Sequence, residues 1–98
     1  MTFYVYILTH RSRVVLYIGV TNSLEGRLWH HSNTAKNSFV KRYKLNRLVY
    51  FETYNDIRDT ISRGKQLKGW RREKKNDLIT RFNPKWEDLG VRMFGARR

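Results

Sequence analysis

Tyrosine hydroxyls on two neighbouring apolar segments are the first side chains in this sequence that could take part in chemistry. Residues 3–8 (FYVYIL) and 15–21 (VLYIGVT) are rich in β-branched and aromatic residues, and a short polar stretch separates them. This pattern predicts two strands joined by a turn. Gly19 lies within the second strand, where a glycine often marks the close approach of a ligand or another backbone. Such a hairpin would place the phenols of Tyr6 and Tyr17 beside a bound group.

A helix after the second strand adds two further polar side chains. Asn22 or Ser23 can cap this helix, and Glu25 stands in its first turn, where an acidic residue is favoured. Arg27 and His31 are one helical turn apart, so their side chains can face the same ligand.

The rest of the chain must position these groups. The predicted elements are a polar loop at 32–38, a short helix at Phe39–Tyr43, a third strand at Leu48–Tyr54 and a long helix at Ile57–Phe82. Asn55 or Asp56 caps the long helix, Gly69 allows a kink in it, and Asn83–Pro84 ends it. This order predicts an α+β fold, with a three-stranded, mostly antiparallel sheet flanked by helices.

Apolar spacing predicts which side of the long helix packs on the sheet. The predicted stripe consists of Ile57, Ile61, Leu67, Leu78, Ile79 and Phe82. Trp86, Leu89 and Phe94 are expected to cover the core after the helix ends. Residues 94–98 are expected to form a frayed basic tail.

Composition limits the possible class of protein. A chain of 98 residues is expected to form one domain, here spanning 1–98. It has no cysteine, which rules out disulfides and thiolate zinc sites, and it has no membrane-length apolar run or signal-peptide pattern, so a cytoplasmic protein is expected. The 21 Lys and Arg residues against 8 Asp and Glu residues leave a formal charge of +13. Such an excess favours nucleic acid as the partner, although passive RNA-binding proteins share it.

Several short motifs, in this order and spacing, resemble the GIY-YIG nuclease superfamily, and in particular its small single-domain members. They are Val5-Tyr6, Tyr17-Ile18-Gly19, Arg27, His31, Leu48-Val49-Tyr50-Phe51-Glu52, Lys65-Gln66-Leu67-Lys68-Gly69-Trp70-Arg71-Arg72 and Asn83-Pro84-Lys85-Trp86. The likeness covers nearly the whole chain, although Tyr4 stands where the first motif of the family has a glycine. The resemblance implies the same three-stranded architecture, the GIY-YIG fold.

The resemblance also implies a catalytic set for phosphodiester hydrolysis, which needs an attacking water, a proton acceptor and positive charge on the phosphate. The implied catalytic residues are Tyr6, Tyr17, Arg27, His31 and Tyr43. In the family the phenols and the histidine handle the nucleophile, and the arginine holds the phosphate. A phenol is a poor base at neutral pH, but Arg27 together with a metal would lower its pKa. Without the motifs, Tyr6 and Tyr17 would be ordinary strand aromatics, and Tyr43 is equally well explained as a packed helix aromatic.

The implied cofactor is Mg²⁺ or Mn²⁺, and here the sequence departs from the family. The family holds the ion with a glutamate directly before the Lys65 position, where this chain has Gly64. Glycine supplies no carboxylate oxygen, which such hard ions require. The glycine is either a natural loss of the ligand or an introduced substitution. Glu52 is a weak substitute, since a carboxylate at the end of a strand more often pairs with a surface lysine, and Glu73 is weaker still.

A run of cations within the long helix predicts a nucleic-acid surface. The predicted contacts are Lys65, Lys68, Arg71, Arg72, Lys74 and Lys75, with Trp70 among them, and Lys41 and Arg42 beside Tyr43. A solvated helix face is the usual explanation of a charge run. Basic residues interleaved with aromatics also suit a groove that follows a nucleic-acid backbone, with contacts to phosphate rather than to base edges.

Together these features predict a metal-dependent endonuclease domain that acts on DNA and is impaired by Gly64. A non-catalytic nucleic-acid-binding module, for DNA or for ribosomal or other RNA, is the alternative. A response to divalent metal would favour the nuclease, and a preference for RNA at equal salt would favour the RNA binder.

Overall fold

Three strands form one antiparallel sheet at the centre of the molecule. The structure is a computed structural model and describes residues 1–33 and 45–95, except the side chains of residues 29–33. The strands are β1 (Phe3–Thr9), β2 (Leu16–Thr21) and β3 (Arg47–Tyr54). Their order is β2-β1-β3, so β1 is central and pairs antiparallel with both neighbours. The predicted α+β fold with a three-stranded sheet is confirmed.

Four helices occur in the described part of the chain: α1 (Leu24–Asn33), α2 (Ile57–Lys68), α3 (Arg72–Phe82) and α4 (Leu89–Phe94). Ser23 caps α1 by accepting a hydrogen bond from the Gly26 amide at 3.1 Å. Asp56 caps α2 by accepting one from the Arg58 amide at 2.8 Å. The predicted loop at 32–38 begins too early, because residues 32 and 33 belong to α1. The predicted helix at 39–43 lies outside the described residues.

The single long helix predicted at Ile57–Phe82 is wrong, because the chain breaks it into α2 and α3. Gly69 ends α2, and its amide donates to the Gln66 carbonyl at 3.1 Å. Arg71 is then extended, with ψ 154°, before α3 begins. A straight helix over residues 57–82 would run about 39 Å, whereas the longest dimension of the molecule is 31 Å. The break keeps the molecule within that length, and side chains from both helices then pack on the sheet.

The helices cover both faces of the sheet. The face that carries Tyr6, here called the tyrosine face, packs against α1 and α4 in a cluster of Tyr6, Leu8, Leu24, Leu28, Leu45, Leu48 and Leu89. The opposite face packs against α2 and α3 in a cluster of Val5, Ile7, Ile18, Val49, Tyr50, Leu67, Ile79 and Trp86. The β1–β3 register shifts between Ile7 and Leu8, so Val49 is an extra residue in β3, as in a β-bulge.

Only part of the predicted apolar stripe is buried. Leu67 and Ile79 are fully buried, whereas Ile57, Ile61 and Phe82 are 40–48% exposed. The buried side of α2 consists instead of Thr60, Gly64 and Leu67.

The segment after α3 covers the core as predicted. Asn83 follows the last residue of α3, Trp86 and Leu89 are buried, and Phe94 packs against the tyrosine-face cluster. Phe94 therefore belongs to α4 and not to the predicted tail, and residues 96–98 lie outside the described residues. No helix among the described residues has both the length and the apolar character needed to cross a membrane.

Candidate functional site

The Tyr6 side chain occupies the gap that Gly19 leaves on the neighbouring strand. Tyr6 on β1 lies directly opposite Gly19 on β2. A β-carbon at position 19 would lie 2.5 Å from Cζ of Tyr6 and closer still to its hydroxyl oxygen. Real β-carbons do not approach other atoms so closely, so the glycine is required by the position of the Tyr6 ring. The close approach that the sequence predicted at Gly19 therefore involves a tyrosine side chain and not a second backbone.

The second motif tyrosine lies beside the first. Tyr17 is two residues before Gly19, so it shares the tyrosine face with Tyr6. The two ring centroids are 6.3 Å apart and the rings are tilted by 42°. Tyr6 is only 2% exposed, whereas Tyr17 is half-buried. The hairpin thus brings the two phenols together, with Tyr17 nearer to solvent.

Arg27 supplies positive charge next to this pair. It is exposed on α1, and its charge acts electrostatically on the Tyr6 hydroxyl. Arg27 lines an open hollow of about 330 Å³ together with Thr21, Asn22, Ser23 and Gly26. Its fixed positive charge and planar set of N–H donors suit a phosphate oxygen. The hollow is large enough to admit a phosphate group.

Arg27 by itself does not lower the pKa of the Tyr6 hydroxyl below its ordinary value. Burial raises the pKa of Tyr6 far above its ordinary value, and the neighbouring Tyr17 raises it further. Arg27 acts in the lowering direction but is outweighed. At neutral pH the Tyr6 hydroxyl is therefore protonated, which makes it a hydrogen-bond donor rather than a base.

Two members of the predicted catalytic set cannot be placed by their side chains. His31 belongs to α1 one turn after Arg27, but its side chain is outside the described part of the structure. Tyr43, Lys41 and Arg42 also lie outside the described residues.

Position 64 lies against β2 on the side opposite the two phenols. Gly64 is buried on α2, and a β-carbon there would lie 3.2 Å from a methyl group of Val20. Val20 directly follows Gly19 on β2, the outer strand next to β1. A longer side chain at position 64 would thus start beside an edge strand of the sheet, past which it can extend. No other heavy atom outside the local helix lies within 4 Å of that β-carbon among the described residues.

Glu52 is held in a polar cluster of its own. Arg63 donates to both of its carboxylate oxygens, from Nε to Oε1 and from a terminal nitrogen to Oε2, each at 2.9 Å. Tyr54 donates to Oε1 at 2.7 Å, and Tyr50 donates to Oε2. Burial acts to raise the pKa of Glu52, but these hydrogen bonds bring it below its ordinary value. The partner of Glu52 is therefore an arginine on α2 and not the surface lysine that the sequence analysis considered.

The residues in this structure do not fit the divalent ion that the family implies. Among the described side chains, no group of three or more His, Cys, Asp or Glu residues could hold a metal ion. Gly64 offers no ligand, and a metal at Glu52 would have to displace Arg63 and two tyrosines. Glu73 is a highly exposed carboxylate on α3, 3.6 Å from Arg71.

The predicted basic run is divided by its contacts. Lys65, Lys68 and Arg71 are exposed near the α2–α3 break. Arg72 instead donates to the carbonyls of Arg13 and Val14 and, from Nε, to Asn76.

Cations cover the aromatic ring within that run. The ammonium of Lys74 lies 4.2 Å from the Trp70 ring centroid, and the guanidinium carbon of Arg63 lies 5.1 Å from it. Lys75 is half-buried. The ring is therefore engaged by cations of this chain, which leaves it less available for stacking on a base.

Comparison with known proteins agrees with this α+β fold. Residues 2–77 match the family of the GIY-YIG catalytic domain. The UPF0213 protein CPE1444 of Clostridium perfringens is 35% identical over 85 residues, which cover 87% of this chain and 90% of that protein. The solution structure of the UPF0213 protein BH0048 from Bacillus halodurans superposes with a TM-score of 0.58 at 22% identity, over 93% of this chain and 96% of that one.

These similarities place the fold in one class, the nuclease-type α+β domains. The chain belongs to the GIY-YIG family. The likeness to the Bacillus halodurans structure supports the fold alone.

The sequence does not predict the structural roles of two arginines, Arg63 and Arg72, of which Arg72 was predicted as a nucleic-acid contact. Arg63 binds Glu52 across eleven residues, and Arg72 binds the β1–β2 turn across almost sixty. A charge run gives no sign of which cation faces inward, so only the folded chain separates these two from their exposed neighbours.

Proposed function

We propose that this chain binds the phosphodiester backbone of nucleic acid, most favourably DNA, at Tyr6, Tyr17 and Arg27, as a metal-dependent endonuclease of its family would. We further propose that hydrolysis by this chain is impaired because Gly64 provides no carboxylate for Mg²⁺ or Mn²⁺. The observation that carries the proposal is the pairing of an intact tyrosine–arginine arrangement with a glycine at the expected ligand position.

The geometry supports different proposed tasks for the three residues. Arg27 is exposed beside an open hollow and would hold a phosphate oxygen. The protonated hydroxyl of Tyr6 would donate a hydrogen bond, since its raised pKa prevents it from accepting a proton at neutral pH. Tyr17 is the more accessible phenol and would contact the phosphate or the attacking water. His31 and Tyr43 stay proposed helpers in proton transfer or phosphate contact.

The proposed setting is a single domain over residues 1–98 that acts in the cytoplasm. The formal charge of +13 supports association with a polyanion. Lys65, Lys68 and Arg71 are the proposed backbone contacts on the α2–α3 side, and Lys75, Lys41 and Arg42 extend that proposal.

A non-catalytic nucleic-acid-binding module is the second candidate. It is favoured by the engagement of Glu52, since Arg63, Tyr50 and Tyr54 already occupy both oxygens of the nearest substitute ligand. The two candidates share a binding site and differ in whether a carboxylate at position 64 restores cleavage.

Binding to a fluorescent 20-base-pair DNA in EDTA tests the shared part of the proposal. Arg27→Gln should weaken binding and make the negative slope of log K against log salt shallower by about 0.9. This is the change expected for one lost phosphate contact on duplex DNA. Arg58→Gln removes the same charge from a side chain that is 89% exposed on α2, and it should leave the slope nearly unchanged. Equal effects of the two variants would contradict a phosphate site at Arg27. Tighter binding of an RNA of the same sequence at equal salt would instead favour an RNA-binding module.

A further inference from the structure

A second cluster of cations lies at the turn end of the sheet. His10 and Arg11 in the β1–β2 turn, with Asn46 and Arg47 at the start of β3, line a hollow of about 300 Å³. Arg13 and Lys85 adjoin them. These residues, His10, Arg11, Arg13, Arg47 and Lys85, are here called the turn-end cluster. The family motifs include only Lys85 of this set, and the proposed site uses none of them.

The protein holds two of the three arginines of this cluster, Arg13 and Arg47, in place. Arg13 donates to the Lys85 carbonyl at 3.0 Å, and Arg47 donates to the Trp86 carbonyl at 3.3 Å. Two guanidinium groups are thus anchored on consecutive peptide units. Each guanidinium has five N–H donors, so both keep donors for a ligand after making these bonds.

The backbone around the cluster adopts an unusual conformation on both sides of one contact. Arg13 and Trp86 are the non-glycine residues with positive φ in the described chain, at 62° and 53°. They contact each other, with the Arg13 guanidinium carbon 5.2 Å from the Trp86 ring centroid. Trp86 is buried, and Thr80 accepts a hydrogen bond from its indole nitrogen at 2.9 Å. Such conformations cost energy and persist where surrounding contacts impose them.

Arg72 supports the turn from α3. It donates to the Val14 carbonyl at 2.6 Å and also to the Arg13 carbonyl. This brings a further positive charge to the same end of the sheet and fixes the backbone that carries Arg11 and Arg13.

The cluster has no carboxylate partner among the described residues. The arginines that form ion pairs within the described residues are Arg58, Arg63, Arg71, Arg81 and Arg92, and none of them belongs to the cluster. The acidic residues nearest to the cluster along the chain are already engaged. Glu87 pairs with Arg92 at 3.1 Å, and Asp88 accepts from the amides of Leu48 and Gly90. No direct ion pair among the described residues therefore neutralises the positive charge of the turn-end cluster.

We infer that the turn-end cluster is a second contact for the backbone phosphates of the nucleic acid that the tyrosine face binds, and this inference rests on the nucleic-acid binding proposed above. Arg47 of the cluster pairs with Thr9 on β1, and Thr9 is three residues beyond Tyr6. At the rise of a β-strand, the backbone positions of Tyr6 and Thr9 are about 10 Å apart. That corresponds to about three nucleotides of duplex DNA, which advances 3.4 Å per nucleotide along each strand. Guanidinium groups match phosphate oxygens in charge and in the geometry of their paired donors.

The salt dependence of binding to the 20-base-pair DNA in EDTA tests this inference. Arg11→Gln should make the negative slope of log K against log salt shallower by about 0.9. The double variant Arg11→Gln/Arg47→Gln should make it shallower by about 1.8. Raising the salt from 50 to 200 mM weakens binding of every variant. With a slope that is shallower by 0.9, the factor by which binding weakens is about 3.5-fold smaller than for the unsubstituted chain. Arg58→Gln is the control for the loss of one charge. Arg11 is exposed, so this variant remains informative if the loss of Arg47 destabilises the fold, which thermal unfolding would report.

The outcomes separate the two sites. If Arg11→Gln and Arg58→Gln have the same slope of log K against log salt, the inference is overturned, regardless of the slope measured for Arg27→Gln. A reduced slope for Arg11→Gln with no change for Arg27→Gln would support the turn-end cluster and contradict the phosphate site on the tyrosine face. Absence of binding by the unsubstituted chain at 50 mM salt would overturn both.

Discussion

Gly19→Ala is expected to be the most disruptive small substitution near the tyrosine pair. The new methyl group would lie 2.5 Å from Cζ of Tyr6, whereas carbon atoms in contact are ordinarily about 3.5–4.0 Å apart. The ring must therefore move by about 1 Å or more. It is 2% exposed and surrounded by the tyrosine-face core, so little free space is available for that movement.

The magnitude follows from the cost of overpacking a core. Adding a methyl group to a well-packed site costs about 1–3 kcal/mol. A loss of about 2 kcal/mol corresponds to a fall in Tm of about 8–16 °C for a domain of this size. Thermal unfolding followed by circular dichroism would measure it.

Gly69→Ala is the matched control for the same chemical change. Gly69 has φ −83°, which any residue adopts, and an added β-carbon would meet no atom closer than 3.5 Å. This variant should be stabilised by about 0.4–1 kcal/mol, because alanine restricts the unfolded chain. A Tm for Gly19→Ala within about 2 °C of the unsubstituted protein would refute the close packing of Tyr6 on Gly19.

Two further predictions concern the polar cluster at Glu52. Glu52→Gln leaves the half-buried Arg63 without its carboxylate partner, so the free energy of unfolding in urea should fall by about 1–3 kcal/mol, and no change would show that the cluster contributes nothing. Hydrogen bonds lower the pKa of Glu52 in the folded state, so as the pH falls the carboxylate is protonated first in the unfolded state. The stability that this group contributes is therefore fully present above its unfolded-state pKa. It is lost as the pH falls through the lower folded-state pKa. Stability measured from pH 6 to pH 2.5 should therefore decline more steeply in the unsubstituted protein than in Glu52→Gln, and parallel profiles would contradict that assignment.

Much of the architecture could be predicted because local patterns and tertiary structure agree. Alternating apolar and aromatic residues specify β1 and β2, and the register then places Tyr6 and Tyr17 on one face. Asp56 and Asn83 mark a helix start and a helix end through their own chemistry, and the structure uses both in that way.

The break between α2 and α3 illustrates what local pattern cannot decide. Residues 57–82 have helical spacing throughout. The length of a helix that packs on the sheet is limited by the size of the sheet, which the sequence of this segment does not reveal. Ile57 and Ile61 are exposed because α2 packs through Thr60, Gly64 and Leu67 instead.

The details of the site depended on contacts between distant residues. Burial of Tyr6 by the surrounding core reverses the pKa shift expected from Arg27. The engagement of Glu52 by Arg63, and of the turn by Arg72, also appears only when β3, α2 and α3 are placed around the sheet. The absence of a carboxylate at position 64, by contrast, is visible in the sequence itself, and its proposed effect on hydrolysis comes from the family resemblance.

The most direct test of the central claim is DNA cleavage by Gly64→Glu in the presence of Mg²⁺ or Mn²⁺. The unsubstituted chain and Gly64→Gln, which has the same size without the charge, are the controls. A side chain at position 64 requires the Val20 methyl group to shift by a few tenths of an ångström, and both variants share that requirement. If the carboxylate restores metal-assisted stabilisation of about 4 kcal/mol, Gly64→Glu should cut roughly a thousandfold faster than either control. Equal metal-dependent cleavage by all three would contradict the account. If none cleaves single- or double-stranded DNA while all bind it, the chain is a binding module and the nuclease proposal fails.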